Sequence, residues 1–472
     1  MRLLLRLSIF LFSLSIFYSC KDKVEPIEPK IIEKDIKLNF NTKNDEIVVD
    51  GYLNKFSYGQ SETATLYINA KTKNDTIVLG IYDMNNKLVD AVRCAVYPQK
   101  MSANAPYLNG YDYKASGKYV VSKTLKSGMY FLAKKIPFIV KNTSSKKGDF
   151  LIVHPSHNDL AYNNGGGYSY YFPTHSERAR VVSFDRPWTF GENGDPRPFY
   201  KWILQKGYNA DFICDDEMQD YKNIESYKMM LLAGHSEYWT RPARENFDKF
   251  VDAGKNALLL TGNTMYWQTR VDTVKKQLIC YKYDAYYNDP TTNILLKTSR
   301  WEDSWLKYDQ LYSIGLNFYT YGGYITARAK DPKGFEGFKI IQPDFPIFKG
   351  MNLKMNDVIK HNSIEYDGAN VNFVNDATYG AIPVYDNSLT KFYKVSILGW
   401  DFARPDYGVI NNHYSIGLCI ALKRKSTSGV IINMSSSNWC TEISQKTQLQ
   451  QISANAIDFL LKNNDFTVKS IQ

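Results

Sequence analysis

Three unbroken apolar runs constrain the fold of this 472-residue chain more than any other feature: DFLIVHP near 150, KMMLLAGH ending at 235 and KNALLLTGN ending at 263. Each is short, is followed by turn residues, and reads as a strand buried on both faces, the mark of a parallel sheet covered by helices. The stretches between them fit that reading. RPFYKWILQKGY (197–208) puts Phe199, Ile203 and Leu204 on one helical face and stops at Gly207. RPARENFDKFVDAG follows Thr240 as N-cap, carries Pro242 in its first turn and closes at Gly254. Strands alternating with helices predict an α/β layer unit over 146–472. Within it, NHYSIGLCIALKR and TQLQQISANAIDFLLKN read as helices, and YGAIPVYD, FYKVSILGWDF and GVIINMSSSNW as strands.

Residues 36–145 have a different texture. Short runs such as ATLYINA, DTIVLGIYD and YVVSKTL alternate apolar and polar residues between turn-forming Asn, Asp and Gly. Period two at this spacing predicts an all-β unit, an antiparallel β-sandwich. Residues 1–20 combine Arg2 and Arg6 with an apolar core too short to span a bilayer, then Ser19-Cys20 and a charged segment. This resembles a bacterial lipoprotein signal, which implies an acyl anchor on Cys20 and a place in the cell envelope, at the membrane. Residues 21–35, charged and proline-bearing, read as an extended tether.

Charge and cysteine usage exclude several roles. The net charge is +10, but its lysines and arginines are dispersed, so no nucleic-acid stripe is expected. Beyond Cys20 the five cysteines are scattered and lack CxxC spacing, which argues against both a disulfide framework and a structural zinc site. YNNGGG (162–167) lacks the spacing of a phosphate loop and is expected to let backbone pass close to a pocket. GHSEYW has no GxSxG frame, so a serine nucleophile there is not expected.

The polar cluster GHSEYWT (234–240) stands at the end of a buried strand, the edge where open α/β sheets place ligands. With LAYNNGGGYSYY (160–171), VVSFDRPW (181–188), FYKWILQKGYNADFICDDEM (199–218), FVDAGKNALLLTGNTMYWQTR (250–270), SIEYDG (363–368) and VIINMSSSNWCTEI (430–443), it forms an ordered series. That series resembles the large (beta) subunit of N,N-dimethylformamidase and its bacterial relatives over roughly residues 125–460. The resemblance implies an α/β layer architecture similar to class I glutamine amidotransferases. It also implies hydrolysis of a small amide, with iron held by phenolate and carboxylate ligands.

Residue by residue, the resemblance makes Tyr238 a metal ligand, with Tyr200 as the second phenol. The carboxylate is either Glu365 or missing, because 291–293 (TTN) stand where the formamidases carry an acidic residue. From the residues themselves, His235 suits a general base, Glu237 can orient it or cap the next helix, and Asn263 can donate to an oxyanion. Each also has a plain structural explanation as a loop or turn residue. Two functions stay open: an exported C–N hydrolase, and an envelope lipoprotein that binds glycan through its aromatic surfaces. A small partner subunit, as in formamidase, or self-association fits either.

Overall fold

The computed structural model describes residues 41–191, 194–324, 336–404, 415–463 and 465–468. The expected signal segment, Cys20 and the tether lie outside the described residues. The fold is a mixture of helix and strand, and among the described residues no helix is long and apolar enough to cross a membrane.

The first hundred described residues build two sheets. Val48–Leu53, Thr63–Ala70 and Gly117–Val120 form a three-stranded antiparallel sheet. Ser57–Gly59, Ile136–Lys141, Gly128–Leu132, Asn74–Asp83 and Leu88–Val96, in that spatial order, form a five-stranded one. Burial along Thr63–Ala70 alternates with period two, so Ala64, Leu66 and Ile68 meet Leu79, Ile81 and Phe138 of the second sheet in one apolar cluster. One pair departs from the antiparallel expectation: Ser57–Gly59 runs parallel to Ile136–Lys141.

The larger unit is a nine-stranded mixed sheet. Its strands are β1 (Phe150–His154), β2 (Ala210–Cys214), β3 (Met229–His235), β4 (Asn256–Gly262), β5 (Phe338–Ile340), β6 (Val358–Ile359), β7 (Lys394–Phe402), β8 (Ile416–Lys423) and β9 (Val430–Asn433). The spatial order is β2-β1-β3-β4-β9-β8-β7-β5-β6. The first five of that order are mutually parallel; the rest are antiparallel to their neighbours.

Helices cover both faces because successive strand residues point to opposite sides. Phe150, Ile152, Leu231 and Leu258 pack with α2 (Arg197–Gln205) and α4 (Thr447–Lys462). Leu151, Val153, Leu232 and Leu259 pack with α3 (Arg241–Asp252) through Phe247 and Phe250. Each such side chain contributes roughly 1.5–3 kcal/mol on burial. The Thr240 side chain accepts from Ala243 N at 3.3 Å at the start of α3, and Gly254 follows its end at φ +84°, as the sequence predicts.

One expected helix is a strand. In NHYSIGLCIALKR, Ile416, Leu418, Ile420 and Leu422 face the α3 side while Cys419 and Ala421 face the other. With both faces apolar, neither period shows in the sequence. Lying between β7 and β9, the segment has its backbone groups completed by their ladders.

Candidate active site and metal centre

The carboxyl edge of β3 and β4 carries the site. Gly234, at φ +80°, sits so close to Gly194 O that an added Cβ would lie 2.4 Å from it. His235 is the last residue of β3, Glu237 lies just past the sheet, and Tyr238 then starts a short strand, Tyr238–Thr240, paired parallel to Trp267–Asp272. Asn263, at φ +51°, turns the chain after β4, and the Asp367 carboxylate accepts from Asn263 N at 2.8 Å and Thr264 N at 3.2 Å. That bond brings up the neighbouring strand Glu365–Tyr366. His235, Glu237 and Glu365, all buried, place one ligand atom each within 4.8 Å of one another.

These groups are not satisfied by each other. His235 Nε2 lies 2.7 Å from Glu365 Oε2 and 3.7 Å from Glu237 Oε1, but without hydrogen-bond alignment. Both imidazole nitrogens, Glu365 Oε2 and Asn263 Oδ1 are buried and unpartnered. Native interiors rarely leave such atoms orphaned. Burial disfavours the charged imidazole, yet Glu365 and Glu237 outweigh it and carry its pKa up to about 9. Burial pushes the Glu237 carboxyl up, and it pushes Asp367 to about 7. Two buried carboxylates converging on one imidazole fit a cation, and that donor set suits a transition metal of intermediate hardness.

Glu237 is also the hub of a phenol cluster. Its Oε2 accepts from Tyr162 and Tyr171 hydroxyls, each at 3.0 Å, and its Oε1 from Asn263 Nδ2 at 2.7 Å. Tyr238 reaches the carboxylate only through Tyr171, donating to its hydroxyl at 2.6 Å. Tyr162 and Tyr171 stack with centroids 4.3 Å apart. Burial drives all three phenols well above their usual pKa. The Lys282 ammonium lies 3.4 Å from the Tyr171 ring centroid, and burial lowers its pKa to about 7.

The structure thus brings together His235, Glu237, Asn263 and Glu365, with Tyr238 two hydrogen bonds from Glu237 through Tyr171. It places Tyr200 elsewhere: the hydroxyl bonds to His154 Nδ1 at 2.9 Å, and His154 Nε2 to Asp159 at 2.8 Å. Sequence reasoning missed Tyr162, Tyr171, Lys282 and Asp367. The two tyrosines flank the glycines of YNNGGGYSYY, so the signal lay in a segment read only for its glycines. Those glycines serve another contact than expected. A Cβ on Gly166 would lie 2.5 Å from Tyr107 N, so the glycine admits the two-sheet region rather than lining the site. Buried Arg186 fastens the loop by donating to the carbonyls of Leu160, Asn163 and Gly165.

Behind Glu365 sits a Ser–His–Glu array. His361 Nε2 meets Ser436 Oγ, and Nδ1 lies 2.7 Å from Glu442 Oε2. Ser436 and His361 are wholly buried, and the adjoining cavity of about 10 Å³ holds no more than a water. The array therefore braces the 435–437 turn, whose Ser437 N donates to Glu365 O at 3.3 Å.

Residues 89–450 match the family described as N,N-dimethylformamidase beta subunit-like, C-terminal. No curated protein matches. Among solved structures, a ThuA-like protein from Bacteroides uniformis is similar at 13% identity, with 67% of this chain and 94% of that chain covered and a TM-score of 0.30.

Proposed function

The chain belongs to the N,N-dimethylformamidase beta subunit-like family, and on that basis we propose that it hydrolyses the C–N bond of a small amide at the Glu237 site, with iron as the metal. The observation that carries the reading is the convergence of two phenols on one buried carboxylate, Tyr162 and Tyr171 on Glu237. These are the donor types that the resemblance implies. A ferric ion held there would polarise an amide carbonyl or water and would supply the positive charge that lets buried phenols ionise.

The chain's own residues divide the remaining work. His235 takes the proton of the attacking water, with Glu365 2.7 Å away to stabilise the imidazolium. Asn263, one amide N–H bonded to Glu237, keeps the other for the developing oxyanion. The Tyr162–Tyr171 stack covers the buried Glu237 carboxylate on the solvent side, where Tyr171 is exposed. The atoms of His235 and Glu365 without hydrogen bonds favour a second donor set, in which His235, Glu237 and Glu365 would hold the metal.

Metal content and a visible spectrum of the purified protein lacking residues 1–20 test these readings. About one iron per chain with a phenolate charge-transfer band, lost in Tyr171→Phe, supports the phenol set. Bound iron without the band moves the metal to the imidazole set. A protein that takes up no metal on reconstitution and cleaves no small amide overturns the function. We also propose export and acylation at Cys20; Cys20→Ser should release the protein from the membrane fraction, and equal membrane retention would refute the anchor.

A further inference from the structure

Near Glu237 the chain buries Lys282, and near Lys282 it buries Arg178; among the described residues neither makes an ion-pair hydrogen bond. Lys282 is 2% exposed and holds φ +58°, a conformation that costs a non-glycine residue energy. Its ammonium faces the rings of Tyr171, Trp267 and Tyr238 at 3.4, 5.1 and 5.4 Å, and among the described residues it forms no ion pair. Arg178 is 8% exposed. Its Nη1 donates to His175 O, while Nε and Nη2 are buried and without a hydrogen-bond partner. Asp284 lies 3.5 Å from Nη2, but its carboxylate is bonded to Arg180 at 2.9 Å. The two cations also oppose each other, since the Arg178 charge disfavours protonated Lys282. Buried charge without a bonded partner is costly, and such cost persists where a ligand offsets it.

The edge of Arg178 that lacks hydrogen bonds has a definite shape, with Asp284 standing 3.5 Å from its Nη2. Nε and Nη2 lie side by side on the guanidinium and form the two-pronged edge that receives a carboxylate bidentately. We propose that Arg178 and Lys282 form an anion subsite beside the Glu237 centre, and that the amide hydrolysed there carries a carboxylate. The word amide rests on the hydrolase reading; the subsite itself does not. The spacing narrows the class. Tyr171 has its hydroxyl on Glu237 and its ring face 3.4 Å from the Lys282 ammonium, so the anionic end stands within about one ring's reach of the reacting end. A short acylated amino acid has that length.

Titration calorimetry of the metal-free protein with N-acetylglycine and with its neutral amide, N-acetylglycinamide, tests the subsite without requiring turnover. The acid should bind about tenfold or more tightly than the neutral compound, the worth of a charge-assisted bond. Arg178→Gln should erase the preference and Arg178→Lys should restore part of it, with thermal melts confirming that each variant is folded. Lys282→Met should weaken the acid alone. Equal affinity for both compounds, no binding of either, or an undiminished preference in Arg178→Gln overturns the subsite. If the acid binds and no amide is ever cleaved, the hydrolase reading falls while the subsite stands. If neutral amides are cleaved and the acid is not preferred, the reverse holds.

Discussion

His154 and His235 end neighbouring strands, β1 and β3, at the same edge of one sheet, each buried beside a carboxylate and a phenol. Around His154 every polar atom is paired. Tyr200 and Asp159 take the two ring nitrogens, and Trp188 Nε1 and Gly191 N complete the Asp159 carboxylate at 2.7 and 3.1 Å. Around His235 both ring nitrogens and Glu365 Oε2 are left open. The same residue types on adjacent strands thus end differently: the first cluster ties α1 (Ser156–Tyr162) and the loop carrying Trp188 to the sheet, and the second leaves ring nitrogens and a carboxylate oxygen without hydrogen bonds. Satisfaction of hydrogen bonds, more than residue type, separates a brace from a site.

The contrast can be broken most directly at the two carboxylates. Glu237→Gln should cut metal affinity by more than the ~10–100-fold typical of outer-shell partners, measured by metal titration, while leaving the melting temperature close to wild type. A variant that binds metal normally would remove Glu237 from the centre. Asp159→Ala should do the converse, costing about 3–5 kcal/mol of stability by stranding His154 and Trp188, with metal stoichiometry unchanged in the folded fraction. Denaturant melts read the first quantity; loss of metal without loss of stability would reverse the two roles.

His157 sharpens the comparison through pH. Burial opposes its charged form, but Asp215 and Asp216 outweigh burial and raise its pKa to about 9. A folded-state pKa above the unfolded value, about 6.5, stabilises the fold fully below that pH, and the gain disappears as pH climbs through about 9. Wild type should therefore lose roughly 3 kcal/mol relative to His157→Gln across that window. Parallel stability curves for the two proteins would show that the imidazole is neutral. The smallest effect distinguishes the phenols. Tyr200→Phe should cost about 1 kcal/mol, one buried hydrogen bond, and leave any iron spectrum unaltered, whereas Tyr171→Phe should change the spectrum; a spectral change in Tyr200→Phe would return that residue to the metal.

Much of the α/β unit was legible because local chemistry and tertiary environment agree. Thr240, Pro242 and Gly254 mark the ends of α3 in the sequence and do so in the structure. The runs of β1, β3 and β4 are apolar on both faces because helices cover both. β8 escaped the same logic: its apolar residues suit a helix as well as a strand, and only the position between β7 and β9 decides. In the site, His235, Glu237 and Asn263 were legible as residues at strand ends. Glu365 was legible only as a candidate, and the partition of the tyrosines was not. Tyr200 lies on a helix with clear periodicity, but that helix presents its hydroxyl to His154. Tyr162 and Tyr171 lie at either end of a glycine-containing loop whose path depends on Arg186 and on the contact with Tyr107.

The sequence by itself determined the layered α/β unit, the β-rich region before it, and the strand ends from which polar side chains emerge, because these depend on periodicity and capping within a few residues. The tertiary structure decided which histidine is satisfied and which is open, which phenols reach Glu237, and that Lys282 lies among aromatic rings near it with no ion pair among the described residues. Those outcomes depend on segments distant in the chain meeting at one sheet edge, where the loss of water makes each missing partner count.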